Sequence, residues 1–294
     1  MSSPDGISPS APIGAKPVEA GRFVPSGASA GCVACLTSAA VDPAHPEPRS
    51  TMSPQEIVAQ ATDRLFNAKD LSAVDELFGP VYTQHSALAP DGTPGLRGLV
   101  SGLSADSHYD LVRILGDGDL VVTQGVFHGF APVPLLGFDV WRVEGDRVVE
   151  HWDALGPLAG ASPNGRTPLD GPLEPTHRED AERARRVVED FVDGVLIRGS
   201  GPLDVAPDYA EHDPQGLDGQ DDLERRISSG ELRRRVLHQV IAEGDLVYTR
   251  SEAGSEEAPL IANDLWRVAD GRIAEHWSLV VPVPPQLPHG NGAF

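Results

Sequence analysis

Apolar positions fall on a helical period over SPQEIVAQATDRLFNAKDLSAVDELF (53–78). Ile57, Ala61, Leu65, Leu71, Val74, Leu77 and Phe78 are spaced for one face of a helical segment. Ser53 stands at the N-cap position, Pro54 at the first helical position and Glu56 completes a capping box. A short segment, VYTQHSAL, and a Gly/Pro/Asp loop, APDGTPG, follow. A second short helix is expected near 95–104. Beyond it the pattern changes to runs rich in Val, Ile, Leu, Phe and Trp, at 109–115, 119–129, 134–143 and 147–155. The polar turns GDG and EGD join them in pairs, as in an antiparallel meander.

The same order then returns. Ala184, Val187, Val188, Phe191 and Val195 form a helical stripe after Arg178. A short helix at 221–229 and strands near 232–242, 245–252, 260–268 and 272–281 repeat the plan. The repeat is visible residue by residue. Aligning Asp139–Leu155 with Asp264–Val280, 8 of 17 positions are identical. GPVYTQH (79–85) answers to APDYAEH (206–212), and GDGDLVVT (116–123) to AEGDLVYT (242–249). The offset drifts only from 127 to 125, so the copies differ by small loop deletions. A period this long means two copies of one small domain rather than a solenoid. The expected organisation is a disordered leader (1–51), a first domain (52–157), a linker (158–177), a second domain (178–282) and a flexible proline-rich tail (283–294). Helices followed by a curved sheet predict an α+β class, with helices closing one end of a cone. Such a cone is a natural small-molecule cavity.

Composition narrows the function. The formal charge of −21 opposes binding to nucleic acid and to anionic membranes, both of which select Lys and Arg. The chain has no eighteen-residue apolar run and no readable secretory signal, so a cytoplasmic location is the default. Residues 1–51 are rich in Pro, Gly, Ser and Ala, a composition that cannot offset ordering entropy. Met52 follows directly, so the leader could reflect an upstream start site. Cys32 and Cys35 are spaced C-x-x-C but lack the βαβ context of a redox motif and a second ligand pair for zinc. They read as incidental thiols.

The string D-[VL]-W-R-V-x-[DG]-[DG]-R-[VI]-x-E-H-W closely resembles the closing hairpin of SnoaL-like proteins, and Y-T-Q-H followed by A-P-D-G and a helix resembles their N-terminal half. The resemblance implies two tandem cone-shaped α+β barrels of the nuclear transport factor 2 superfamily. It also implies cofactor-free chemistry of the polyketide cyclase kind, in which a carboxylate and a histidine abstract a proton beside a carbonyl before aldol closure. By that resemblance Asp139 takes the place of the acid and His128 that of the histidine. His85 is a further candidate relay, and Tyr82, Trp141 and Trp152 are candidate walls for a hydrophobic carbonyl compound. Burial in an apolar cone would raise the pKa of such an acid.

Strand parity bears on this assignment. With a two-residue turn at Gly145–Asp146, Asp139 opposes Trp152. Asp139, Trp141, Glu150 and Trp152 then share one face, while His151 and Asp153 lie on the other unless a bulge intervenes. His151 and His276 recur in both copies, which a shared fold constraint explains equally well. No metal site is expected, since no H-x-H or H-E-x-x-H spacing is present. No phosphate loop, dinucleotide fingerprint or nucleophile elbow appears either. The second domain keeps Tyr209, His212, Asp264, Trp266 and Trp277, together with His276. Gly254 replaces His128 and Ser278 replaces Asp153, so this copy is expected to be degenerate. The two domains are expected to pair with each other, or the chain to form a homo-oligomer. The alternatives are a non-catalytic ligand-binding or scaffold protein, and an epoxide hydrolase or dehydratase on the same frame.

Overall fold

The computed structural model describes residues 52–294; Cys32, Cys35 and the expected leader lie outside the described residues. Helix α1 (Pro54–Thr62) starts as its sequence dictates. The Ser53 side chain accepts from the Glu56 N–H, and the Glu56 side chain accepts from the Ser53 N–H. Ile57, Val58 and Ala61 are buried. A π-helical turn (Asp63–Asn67) extends it. The chain reverses at Lys69, with φ at 55°, before α2 (Ser72–Leu77). Expected as one segment, 53–78 is therefore two helices with a break between them.

Strand β1 (Phe78–Gln84) leads to α3 (Gly92–Gly102), and then to β2 (His108–Asp117), β3 (Leu120–His128), β4 (Leu135–Glu144) and β5 (Arg147–Pro157). The sheet order is β1-β5-β4-β3-β2. The last four strands form the expected meander, but β1 pairs in parallel with β5. The sheet is thus mixed rather than purely antiparallel. The second unit repeats this plan: α4 (Ala181–Phe191), a π-helical turn (Val192–Ile197), β6 (Val205–Glu211), α5 (Gln220–Ser229), β7 (Val236–Glu243), β8 (Leu246–Gly254), β9 (Pro259–Ala269) and β10 (Arg272–Pro282). Its order β6-β10-β9-β8-β7 is the same.

Both units carry one bulge that decides which side chains face inward. In the β4–β5 hairpin Val143 pairs with Val148 and Arg142 with Glu150, so Val149 is an extra residue. Beyond it Trp141 opposes His151, Val140 opposes Trp152 and Asp139 opposes Asp153. One extra residue sends the following side chains to opposite faces. The second unit bulges at the same place, with Trp266 opposite His276 and Asp264 opposite Ser278.

Each concave face is covered by its own helices, and the two convex faces pack on each other. Leu115, Val122, Phe138, Val140 and Trp152 of the first sheet form one buried cluster with Ile241, Leu246, Tyr248, Leu265 and Trp277 of the second. Residues of both faces are therefore buried in succession along β3, β4, β8 and β9. The segment expected to be a linker crosses this assembly, its carbonyls at Pro168, Asp170 and Pro172 accepting from Gln124, Trp277 and Arg113. The proline-rich segment after Pro282, expected to be a flexible tail, returns to the first unit. There Asn291 donates to the Gln84 carbonyl at 2.9 Å and His289 Nε2 lies 2.9 Å from the Ser86 carbonyl.

Candidate functional site

The bulge brings Asp139 and His151 to the same concave face. Both are buried, and Asp139 Oδ1 lies 3.2 Å from His151 Nε2. The ring stacks on Trp141 with centroids 3.9 Å apart. Its Nδ1 lies 2.9 Å from Gln84 Oε1, an oxygen that also accepts from the Ser86 N–H at 3.0 Å. Because that backbone donor identifies the Gln84 atom as the oxygen, His151 Nδ1 must carry a proton. Nε2 is then left to interact with Asp139.

Electrostatics select the neutral form of this pair. Burial raises the Asp139 pKa to about 8, opposed in part by the charge of Arg250 in the second unit. Burial lowers the His151 pKa to about 4. Between those values the acid is protonated on Oδ1 and donates to the Nε2 lone pair. Asp153, directly opposite Asp139, is also raised, first by burial and further by the neighbouring Asp139. Asp139 Oδ2 has no hydrogen-bond partner among the described residues, and neither has Tyr109 Oη. A buried polar atom without a protein partner is costly. Tyr109 lies directly on the backbone of Gly125, where a Cβ would sit 2.2 Å from the ring. Gly125 is therefore the residue that lets this phenol enter the cone.

The cone encloses a cavity of ≈ 20 Å³ walled by Tyr82, Phe127, Trp141 and Leu155 among others. It adjoins a much larger cleft of ≈ 700 Å³ between the two units, and Leu88, Asp153 and Leu155 line both. Leu279, Val281 and Leu287 contribute an apolar wall from the second unit and the segment beyond it.

The sequence-derived residues separate accordingly. Asp139, Tyr82 and Trp141 line the cone together. Trp152 does not: the bulge places it on the convex face, in the core shared by the two sheets. His85 stacks on Trp152 at 4.8 Å, with Nε2 2.9 Å from Glu150 and Nδ1 3.1 Å from the Gly292 carbonyl; it lines the cleft but not the cone. His128 is not brought to Asp139. It lies at the end of β3, out of phase with Thr123, which pairs with Asp139. There it stacks on His108 at 4.3 Å and sits 3.1 Å from Asp110. Sequence parity missed His151, and Gln84 was not singled out at all.

The second cone holds the same frame in a different electrostatic state. Glu211 stands at the Gln84 position and Arg226 at that of Leu99. Arg226 Nη1 donates to Glu211 at 2.9 Å and Nε to Glu231 at 2.7 Å. Arg234 grips Asp264 with both Nε and Nη2, at 2.9 and 2.8 Å. His276 bridges Glu211 and Asp264 at 3.1 Å on each side, stacked on Trp266. These carboxylates outweigh burial and raise the His276 pKa to about 9, while Arg234 and His276 hold Asp264 far below the usual carboxylate range. Tyr209 donates to Glu211 at 2.7 Å. His212 and Trp277 repeat the His85–Trp152 stack outside the cone, at 4.4 Å.

The family model described as SnoaL-like domain matches residues 58–151. Residues 58–151 are a SnoaL-like domain. Among solved structures, IdmH of Streptomyces antibioticus, described as a candidate polyketide cyclase, is similar at 23% identity over 35% of this chain and 92% of its own, with a TM-score of 0.31. A candidate ketosteroid isomerase of Kribbella flavida is similar at 17% identity over 36% and 85%, with a TM-score of 0.32. No curated protein matches the chain significantly. The family match ends at His151, so the SnoaL-like domain includes both members of the Asp139–His151 pair.

Proposed function

We propose that the SnoaL-like domain is a cofactor-independent acid/base catalyst for a hydrophobic carbonyl compound, working by enolisation that leads to aldol-type ring closure or isomerisation. The observation that carries this reading is the buried Asp139 carboxyl, with Oδ1 held by His151 and Oδ2 unpartnered. A neutral acid held this way works at both oxygens. Oδ2 takes the proton from the carbon next to the carbonyl, while the Oδ1 proton passes to His151 Nε2. The C–H electron pair becomes the enolate, whose oxygen meets Tyr109 Oη. The enolate carbon either attacks a second carbonyl of the same molecule or is reprotonated at a conjugated position. In both cases the proton returns from His151 through Asp139. A pKa near the working pH suits a group that both accepts and donates. Desolvation in an apolar site keeps an aspartic acid neutral at pH 7, so that it can enter catalysis as a hydrogen-bond donor.

The test is deuterium incorporation. Hydrophobic ketones and 1,3-diketones are incubated in D2O and their α-protons followed by NMR. The wild type exchanges at least one of them well above the buffer rate, and Asp139→Asn reduces the rate by at least ~10². A panel that binds without exchange in either protein would refute catalysis. It would leave the second reading, ligand binding in the ≈ 700 Å³ cleft with the cone serving as a wall, which the small volume inside the cone favours.

A further inference from the structure

The histidine that the bulged sheet leaves out of the cone belongs to a different constellation. His108 and His128 are direct cross-strand partners on β2 and β3, their rings parallel to within 7° and 4.3 Å apart. Asp110, two residues from His108 and so on the same face of β2, lies 3.1 Å from His128 Nε2. One donor atom from each of the three lies within 4.8 Å of the other two. His108 is exposed, and the side chains of His128 and Asp110 keep 31% and 62% of their accessibility. All three are reachable from solvent.

We propose that His108, Asp110 and His128 form a binding site for a divalent transition-metal ion of the zinc type. The chemistry of the donor set points there. Two imidazoles and one carboxylate suit Zn2+ and leave a fourth position open. His108 also has the supporting interaction such ligands need. Its Nδ1 lies 3.2 Å from the Asp106 carbonyl, which can only accept, so Nδ1 carries the proton and Nε2 presents its lone pair outward. Zinc–donor bonds of ~2.0–2.2 Å place donors roughly 3.3 Å apart in a tetrahedron. Closing from 4.8 Å to that spacing requires the two stacked rings to tilt out of parallel so that their lone pairs converge, a motion of side chains that are open to solvent.

The fold itself does not require this cluster. In the second unit Gly254 takes the place of His128, Val236 pairs with Glu252 as Asp110 pairs with Val126, and Arg234, two residues before Val236, takes the place of His108. Linear spacing could not reveal the site, because β-sheet register joins His128 to His108 and Asp110 from a different strand. The site is independent of the cone, where Asp139, His151 and Asp153 form a separate cluster.

Calorimetric titration of the chelator-treated chain with ZnCl2 tests the proposal, with anomalous diffraction at the zinc edge locating the ion. The expected result is saturable binding of one ion at the β2–β3 end. His108→Asn and His128→Asn should each weaken it at least ~10-fold, while Asp153→Asn leaves it unchanged. Both histidine variants alter side chains open to solvent, and circular dichroism establishes that they remain folded. Absence of saturable binding, retention of full affinity in His128→Asn, loss of binding in Asp153→Asn, or an anomalous peak elsewhere would each overturn it.

Discussion

Replacing Asp139 by asparagine keeps the size and neutrality of the protonated acid but removes its ionisation. The amide can still donate to His151 Nε2. The pH dependence of stability should therefore change: the two proteins should be closest in stability below about pH 4, where folded and unfolded wild type both hold the Asp139 proton, and the variant should become progressively the more stable one as pH rises toward 8. In the wild type Asp139 titrates near 8 when folded and near 3.8 when unfolded. The folded state holds the extra proton between those values, so this carboxyl makes stability fall as pH rises. His151 titrates near 4 when folded against 6.5 unfolded, and its contribution rises with pH over that interval. The two oppose each other up to pH 6.5. From 6.5 to 8 Asp139 acts without that compensation, and at 1.36 kcal/mol per unit the loss reaches about 2 kcal/mol. His276, raised to about 9, adds a further loss above 6.5 in both proteins. The difference between wild type and Asp139→Asn therefore carries the test, not the raw curve. Asp153, Tyr82, Tyr109, Tyr248 and Arg250 are the other ionisable groups coupled to Asp139, and they are common to both proteins. Urea unfolding followed by the fluorescence of the buried tryptophans at about pH 6.5, 7.25 and 8 measures it. Parallel curves would mean that Asp139 is already ionised at neutral pH, and the relay through Oδ1 would be refuted.

Gln84→Glu copies the second unit into the first. It should raise the His151 pKa from about 4 toward the value of about 9 held by His276, read by NMR titration of the ring, and it should suppress α-proton exchange. Trp152→Ala removes a large side chain from the core shared by the two sheets and should cost ~3–5 kcal/mol in denaturant unfolding. A cost under about 1 kcal/mol would mean that the interface is not built as described. Leu88 is 51% exposed and lines both the cone and the cleft. Leu88→Ala should leave stability within about 0.5 kcal/mol and speed exchange of bulky ketones; slower exchange would mean that Leu88 positions the ligand rather than obstructing it.

The repeat, the helix cap and the four-strand meander were legible because each rests on local chemistry, whereas the parallel pairing of β1 with β5 has no local signal. Ser53, Pro54 and Glu56 signal a helix start whatever follows. The turn at Gly145–Asp146 was also correct, since Val143 does oppose Val148. What parity could not supply was Val149, the one extra residue that exchanges Trp152 for His151. A clue was present: the bulge-free register would place Glu150 inside an apolar cone beside two tryptophans, and an unpaired buried carboxylate is expensive. In the structure Glu150 is instead outside, within 2.9 Å of both Arg142 and His85. His128 failed for a related reason on another strand, because its phase relative to Thr123 puts it off the concave face. Arg234 and Asp264 are thirty residues apart in the chain, and their pairing has no local signature.

The two cones show how one frame can be filled in two ways. A buried charge is tolerable only when paired. Inside the second cone this rule is met: Arg226, Glu211, His276, Asp264 and Arg234 form a continuous chain of ion pairs and hydrogen bonds. Ser278 donates to Asp264 Oδ1 at 2.7 Å, and Arg234 occupies Oδ2, so that carboxylate offers nothing to a ligand. The first unit removes the partners instead. Gln84 for Glu211 and Leu99 for Arg226 leave Asp139 without a charged partner in the cone, so that burial outweighs the charge of Arg250 and one carboxyl oxygen stays free. The fully paired cone supports a structural role, holding its half of the cleft wall in place. The under-paired cone is where a carbonyl compound would find both a free acceptor and an unpartnered phenol.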